Sequence, residues 1–473
     1  MPTEATTPPQ PTNARQLAAD AIARLPYAPT FRQALLLEVL AQYICGRGPR
    51  DVFIINGYAG TGKTSLIGAM LAAARHAGLR TFVLAPTGRA AKVASAMAGM
   101  PASTIHKRIF RGDSSDPANT RFFLAPNDDR DALFFVDEAS MITDNAADSL
   151  LAALLRHIYS APGCGLVLVG DVAQLPPVGQ PDSPAMNPDR LRSLGFNPYV
   201  FQLEEPARQA AGSGILFNAT ITRRRLGSKT EKPFALKTRG FADICVVDSS
   251  ELADTVADSW SSVGAEETII ITRSNRRAND YNSALRARVL YADAPIESGE
   301  RLIIAKNNYF WTRTEGSGTP FLANGETAVV QWVGRTEKMY GRSFTDVELT
   351  LPGRPDPISA KIMLRSLIAE GPSLDQAEMN RFYSHVMAMQ DGSVTQRMAA
   401  VNKDPYFNAL QVKYGYCVTC HKAQGGQWRH VYIDLGGIRA EDMTDDFYRW
   451  LYTALTRATE RVFLINPTMR IVS

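Results

Sequence analysis

Gly57-Tyr58-Ala59-Gly60-Thr61-Gly62-Lys63-Thr64 fits the pattern G-x-x-x-x-G-K-[ST], and its reading decides the fold. It follows the apolar run VFII at 52–55 and leads into a stretch with helical apolar spacing. A buried strand that ends in glycines and turns directly into a helix aims several backbone N–H groups, and the positive end of the helix dipole, at one point. Phosphate oxygens suit that point. Lys63 is then expected to reach β- and γ-phosphates, and Thr64 to ligate Mg²⁺.

Outward from this loop, TFVLA at 81–85, LFFV at 133–136 and LVLV at 166–169 are short and apolar throughout. Such runs suit strands buried on both faces of a parallel sheet, with helices as crossovers. They predict an α/β domain over 15–200. A second series, TIIIT at 268–272, a KYGYCV run ending at Val418, HVYIDL at 430–435 and RVFLIN at 461–466, predicts a second α/β domain over 201–300 and 411–473. Between its early and late strands, 301–410 carries NGETAVVQWVG and DVELTLPG, which read as a small antiparallel β insertion followed by a helix.

A length of 473 residues calls for more than one domain. With 45% hydrophobic and 21% charged residues, the composition excludes disordered and fibrous classes. The 51 Lys+Arg against 47 Asp+Glu leave a net charge of only +4, so bulk charge does not identify a partner. Five cysteines are too sparse for a secreted disulfide framework and point to a reduced, cytoplasmic protein. No stretch approaches the length of a spanning helix, which argues against a membrane. The proline-rich 1–14 reads as a disordered tail, not a signal.

The LFFV run delivers Asp137-Glu138 to the sheet edge. Adjacent carboxylates there suit phosphoryl transfer, with Asp137 on Mg²⁺ through water and Glu138 as general base. Cys417-Val-Thr-Cys420 has zinc-knuckle spacing but lacks a second pair of ligands, and it reads as structural filler. His76, His157, His385 and His430 likewise read as structural residues. Arg223 to Arg239 holds seven basic residues against Glu231, a solvated charged face that could also track phosphates.

Further motifs follow in order: Ala85-Pro-Thr-Gly-Arg-Ala-Ala-Lys92, Thr104-Ile-His106-Lys107, Gly170-Asp171 through Gln174 to Gly179, Leu203-Glu-Glu-Pro-Ala-Arg208-Gln209, Thr419-Cys-His421-Lys-Ala-Gln424-Gly425 and Tyr452 to Ala458. The series resembles superfamily 1 helicases of the RecD, Dda and Pif branch, over about residues 30 to 466. That resemblance implies two RecA-like parallel-sheet P-loop domains with ATP between them. It also implies a short β-hairpin wedge at about 108–131 and an SH3-like insertion in the second domain.

Roles follow motif by motif. Gln33 is expected to read adenine, with Gly60, Thr61, Gly62, Lys63, Thr64 and Ser65 cradling phosphates. Gln174 is expected to sense the γ-phosphate, and Arg208 and Arg457 to neutralise it. Gly425 and Gln427 would face the nucleotide, although the family usually has Glu where Gln427 stands. Pro86, Thr87, His106, Thr419 and His421 would line a single strand. The implied protein is a monomeric ATP- and Mg²⁺-dependent DNA helicase acting on single-stranded and fork DNA, moving 5′ to 3′, and nucleoid-associated if bacterial. The alternatives are an RNA helicase of the same superfamily and a RecD-like, ATP-switched scaffold subunit.

Overall fold

A computed structural model describes residues 13–112, 122–145, 149–205, 212–228, 233–312, 321–352, 354 and 356–472. The expected tail at 1–12, Arg208 and the wedge segment 113–121 lie outside the described residues. The chain divides into two compact units, one holding residues up to 111 and 122–212, the other running from 213 onward.

The strands of the first unit are β1 (Asp51–Gly57), β2 (Thr81–Ala85), β3 (Ala102–Thr104), β4 (Phe110–Gly112), β5 (Phe122–Leu124), β6 (Leu133–Val136), β7 (Gly165–Gly170) and β8 (Asn197–Leu203). Six form one sheet in the order β3-β2-β6-β7-β1-β8, with every pairing parallel. The apolar runs of β1, β6 and β7 are buried along their whole length, because helices cover both faces. Phe53 and Ile55 of β1 pack with Leu36, Leu40 and Met70 from the helices Phe31–Gly46 and Lys63–His76. Val52 and Ile54, pointing the other way by strand alternation, pack with Leu151 and Leu154 of Leu150–Tyr159. Each such side chain contributes about 1.5–3 kcal/mol on burial. The result is a sheet packed on both faces, whose C-terminal edge carries the loops.

β8 corrects the boundary expected at residue 200. That position falls inside the strand, and Phe201 and Leu203 belong to the first unit's core. As an edge strand, β8 leaves Asn197, Tyr199 and Val200 exposed and so lacks a continuous apolar run. β4 and β5 pair as a separate two-stranded sheet where the hairpin was expected.

The second unit contains β9 (Ala235–Lys237), β10 (Ile244–Val247), β11 (Thr268–Thr272), β12 (Arg301–Ile304), β13 (Thr327–Met339), β14 (Arg342–Thr350), β15 (Ile358–Met363), β16 (Val412–Tyr414), β17 (Cys417–Thr419), β18 (Trp428–Asp434), β19 (Ala458–Ile465) and β20 (Arg470–Val472). A parallel sheet runs β10-β19-β18-β11-β17, and an antiparallel sheet runs β15-β14-β13-β12-β16. β9 and β20 pair on their own. The run read as one strand at 413–418 therefore serves two sheets, breaking at Gly415. The insertion accordingly extends past 410 to include β16, and two helices, Gln376–Ala388 and Val394–Lys403, replace the single one expected. Arg301, buried at the start of β12, ties the sheets together by donating to the carbonyls of Ala265, Thr268 and Gly415.

Candidate nucleotide site and strand-facing edges

Because all six strands of the first sheet are parallel, their C-terminal ends meet along one edge, where open α/β sheets bind ligands. Reading along the sheet order, that edge carries Thr104 and His106 after β3, Pro86 and Thr87 after β2, Asp137 and Glu138 after β6, Asp171 to Gln174 after β7 and the glycine loop after β1.

Gly60 and Gly62 adopt φ of 75° and 81°, the left-handed conformation that lets the loop reverse into the helix at Lys63. Lys63 Nζ donates to the carbonyls of Gly57 and Tyr58, the latter at 3.0 Å. Thr61 is buried and its hydroxyl donates to Tyr58 O at 2.7 Å, while Ser65 is exposed. Thr64 and Asp137 line one small cavity together with Ile67, Gly68 and Leu71. A hydroxyl and a carboxylate are hard oxygen donors, the kind Mg²⁺ takes alongside phosphate and water.

Gln33 is 1% exposed and clamps the loop to the helix before it. Its Nε2 donates to Thr61 O at 3.0 Å, and its Oε1 accepts from Thr30 N at 2.9 Å in a capping box. One amide hydrogen and one lone pair remain for another partner. Tyr27 was marked by no motif, yet its buried hydroxyl has no hydrogen-bond partner among the described residues and lies 3.0 Å from where a Cβ on Gly62 would sit. Gln33 Nε2 lies equally close to that point. Gly62→Ala is therefore expected to destabilise the unit by about 1–2 kcal/mol through its left-handed backbone and to displace Gln33 from Thr61. A thermal melt checks the first effect, and an unchanged melting temperature would contradict it.

Glu138 also sits at positive φ, 50°, with its N–H donating to Asp137 Oδ1 at 2.9 Å. After β7, Asp171 Oδ1 accepts from Ala173 N at 2.9 Å, and Val172 N donates to Asn56 Oδ1 at 3.2 Å. Asn56 thus ties the turn that holds the buried Gln174 to the end of β1. Thr87 caps the helix Gly88–Ala98 through a bond from Ala90 N, which leaves Pro86 and Thr87 half-buried. His106 is exposed and packs near Phe110, at 5.7 Å between ring centres.

In the second unit, Thr419 ends β17 and His421 follows it, exposed, on the turn Cys420–Ala423. Gly425 has φ 71° and Gln427 is exposed. Arg457 is 3% exposed, with its guanidinium donating to Thr453 O at 3.1 Å and Gly426 O at 3.3 Å. It joins the turn after His421 to the end of the helix Asp445–Leu455, so the helix-capping contact is part of its environment. The basic segment after Arg223 is partly used in packing: Arg225 lies over Phe234, and Lys237 over Phe217 and Phe241. No cluster of three or more His, Cys, Asp or Glu side chains able to hold a metal occurs among the described residues. Cys420 is buried, with its thiol donating to Trp450 O at 3.5 Å. Among the described residues, no helix is long and apolar enough to cross a membrane.

Comparison with known proteins adds a family context. A family model described as an AAA domain matches residues 39–191, and one described as a UvrD-like helicase C-terminal domain matches 414–465. The ATP-dependent RecD2 DNA helicase of Deinococcus radiodurans is 28% identical over 434 residues, covering 91% of this chain and 48% of the relative. The ATP-dependent DNA helicase dda of Enterobacteria phage T4 is 25% identical over 257 residues, 53% of this chain and 55% of the relative. The chain thus spans about half the length of these relatives. A Bacteroides Pif1 helicase solved with ADP-AlF3 and single-stranded DNA aligns over 93% of this chain and 92% of its own, at 14% identity and a TM-score of 0.47.

Proposed function

We propose that this chain, which belongs with the RecD-, Dda- and Pif-type helicases of superfamily 1, is an ATP-driven single-stranded DNA translocase and helicase moving 5′ to 3′. The observation that carries this reading is the shared edge of the first sheet. The glycine loop, Asp137, Glu138 and Gln174 occupy the same strand ends as Pro86, Thr87 and His106, so a change at the phosphates is transmitted through adjacent strands of one sheet.

Phosphoryl transfer is catalysed by positioning and charge neutralisation. In this reading Gly60, Thr61, Gly62 and Ser65 present backbone N–H groups to phosphate, and Lys63 supplies the cation. Glu138 takes a proton from the attacking water, and Gln174 registers the terminal phosphate. Thr64 and Asp137 would hold Mg²⁺, which when bound neutralises charge on the phosphate oxygens. Gln33 is assigned to the adenine, Gly425 and Gln427 to the nucleotide, and Arg208 and Arg457 to the charge that develops on the transferred group. With Gln427 in place of the usual acid, a hydroxyl is still recognised but without a carboxylate's charge. Pro86, Thr87, His106, Thr419 and His421 contact the strand by phosphate bonds and stacking. The protein is proposed to work as a monomer.

The test is unwinding of forked duplexes bearing a single loading tail, with ATP turnover measured alongside. Unwinding from the 5′ tail and strong stimulation by poly-dT are expected. Activity confined to the 3′ tail would overturn the polarity, greater stimulation by poly-U would favour an RNA motor, and strand binding with no stimulated turnover would favour a switched scaffold.

A further inference from the structure

Two lysines of the antiparallel insertion are almost equally buried but are treated differently. Lys361 on β15, 6% exposed, is paired with Glu337 and, at 2.8 Å, with Asp346. Although burial opposes its charge, these carboxylates hold Lys361 above its ordinary pKa. Lys413 on β16, 7% exposed, donates instead to the carbonyl of Ala369.

Lys422, on the turn just after His421, donates to the carbonyl of Pro372 at 3.1 Å. Both acceptors belong to one strap, 369–372, that leaves the turn Leu364–Ile368. The strap is fixed by Asn279, whose Nδ2 donates to Ile368 O and Ala369 O at 3.1 and 3.0 Å. Gln411 fixes it further on, with Oε1 accepting from Leu374 N at 3.0 Å. Arg365 is exposed on that turn, and its charge reaches Lys413. Burial first, then the charges of Lys422 and Arg365, push Lys413 down to about 8; burial alone pushes Lys422 to about 8. Among the described residues, no carboxylate forms an ion pair with any of the three.

Two lysines held on one fixed strap, with Arg365 on the turn before it, cost stability when no carboxylate pairs with them, and an anion seated among them offsets that cost. The strap's own carboxylate, Glu370, is exposed and forms an ion pair with none of the three among the described residues. We propose that Arg365, Lys413 and Lys422 form a phosphodiester site that carries a nucleic-acid strand from the His421 turn onto the antiparallel insertion. The proposal rests on the reading of the chain as a strand-binding motor and names a contact beyond that motor's motifs. A polymer is favoured over free phosphate because Lys422 directly follows His421 in sequence, so successive phosphates of one strand can occupy both.

The full chain is titrated with a fluorescent dT oligonucleotide over a series of KCl concentrations. Each phosphate neutralised on a single strand contributes roughly 0.7 to the slope of log affinity against log salt. Arg365→Gln and Lys422→Gln are each expected to flatten the slope by about that amount and to weaken binding most at low salt, while Lys422→Arg keeps the wild-type slope. The Arg365 side chain makes no hydrogen bond among the described residues, so its substitution leaves the strap intact and keeps the test interpretable if Lys422→Gln unfolds. A wild-type slope in Arg365→Gln and in folded Lys422→Gln overturns the site. So does thermal stabilisation of the wild type by inorganic phosphate, at matched ionic strength, that both Gln variants lose while their oligonucleotide slopes stay unchanged. Absence of salt-dependent oligonucleotide binding by the wild type would instead remove the motor reading beneath it.

Discussion

Lys63→Ala is expected to lower ATP turnover by at least 10²–10³, the typical loss when one preorganised donor is removed from developing charge, while single-strand affinity stays within about twofold. The lysine acts in two ways. Its ammonium lies under the loop, held by the carbonyls of Gly57 and Tyr58, and its stem packs so closely on Gly57 that a Cβ there would fall 2.7 Å from Lys63 Cδ. Alanine removes both the charge and this support, whereas the residues assigned to the strand leave from β2, β3 and β17. Lys63→Arg separates the two contributions: it restores the charge but must fit a broader planar head against the same carbonyls, so it should recover little turnover. Steady-state hydrolysis with dT oligonucleotides and anisotropy of a labelled strand provide the two readouts. Wild-type turnover in Lys63→Ala would remove the loop from the chemistry.

What could be read in advance follows from how each element is buried. β1, β6 and β7 are covered on both faces, so their sequences are unbroken apolar runs and their positions were legible, as were those of β11, β18 and β19. The exposed edge strand β8 carries a mixed sequence and was cut by the expected boundary. KYGYCV looked like one strand because both of its halves are buried, and only the paired carbonyl and amide groups show that Lys413 and Val418 belong to different sheets. The glycine-loop pattern and the Asp-Glu pair stand out in the sequence because each is a matter of local spacing, and the structure puts both at the C-terminal edge of the first sheet. Tyr27, Asn56 and the Arg365, Lys413, Lys422 group did not, because they act across 35 or more residues of sequence or through an unsatisfied atom. One signal was available: a lysine inside an otherwise apolar run, as at 413, needs a specific reason to be there.

Glu138 allows a prediction in which activity and stability move in opposite directions. Glu138→Gln keeps the size and removes the base, so turnover should fall by about 10²–10⁴, the usual contribution of general base catalysis, with an unchanged melting temperature. The backbone adds a second expectation. At φ 50° and ψ 37°, Glu138 occupies the left-handed region, where a side chain with a Cβ is disfavoured by roughly 1–2 kcal/mol and glycine is not. The neighbouring carboxylate of Asp137, accepting the Glu138 N–H, helps hold that conformation. A residue selected for stability alone would be glycine or asparagine, and retaining glutamate there costs the fold a small amount to place a carboxylate beside the phosphate loop. Glu138→Gly should therefore lose turnover as fully as Glu138→Gln while melting at the same or a higher temperature, the relief of strain being partly offset by the greater freedom of glycine in the unfolded chain. Calorimetry and steady-state hydrolysis on the two variants decide the matter. A glycine variant that melts well below wild type would show that Glu138 supports the fold rather than straining it, and one that keeps wild-type turnover would exclude its carboxylate from the reaction.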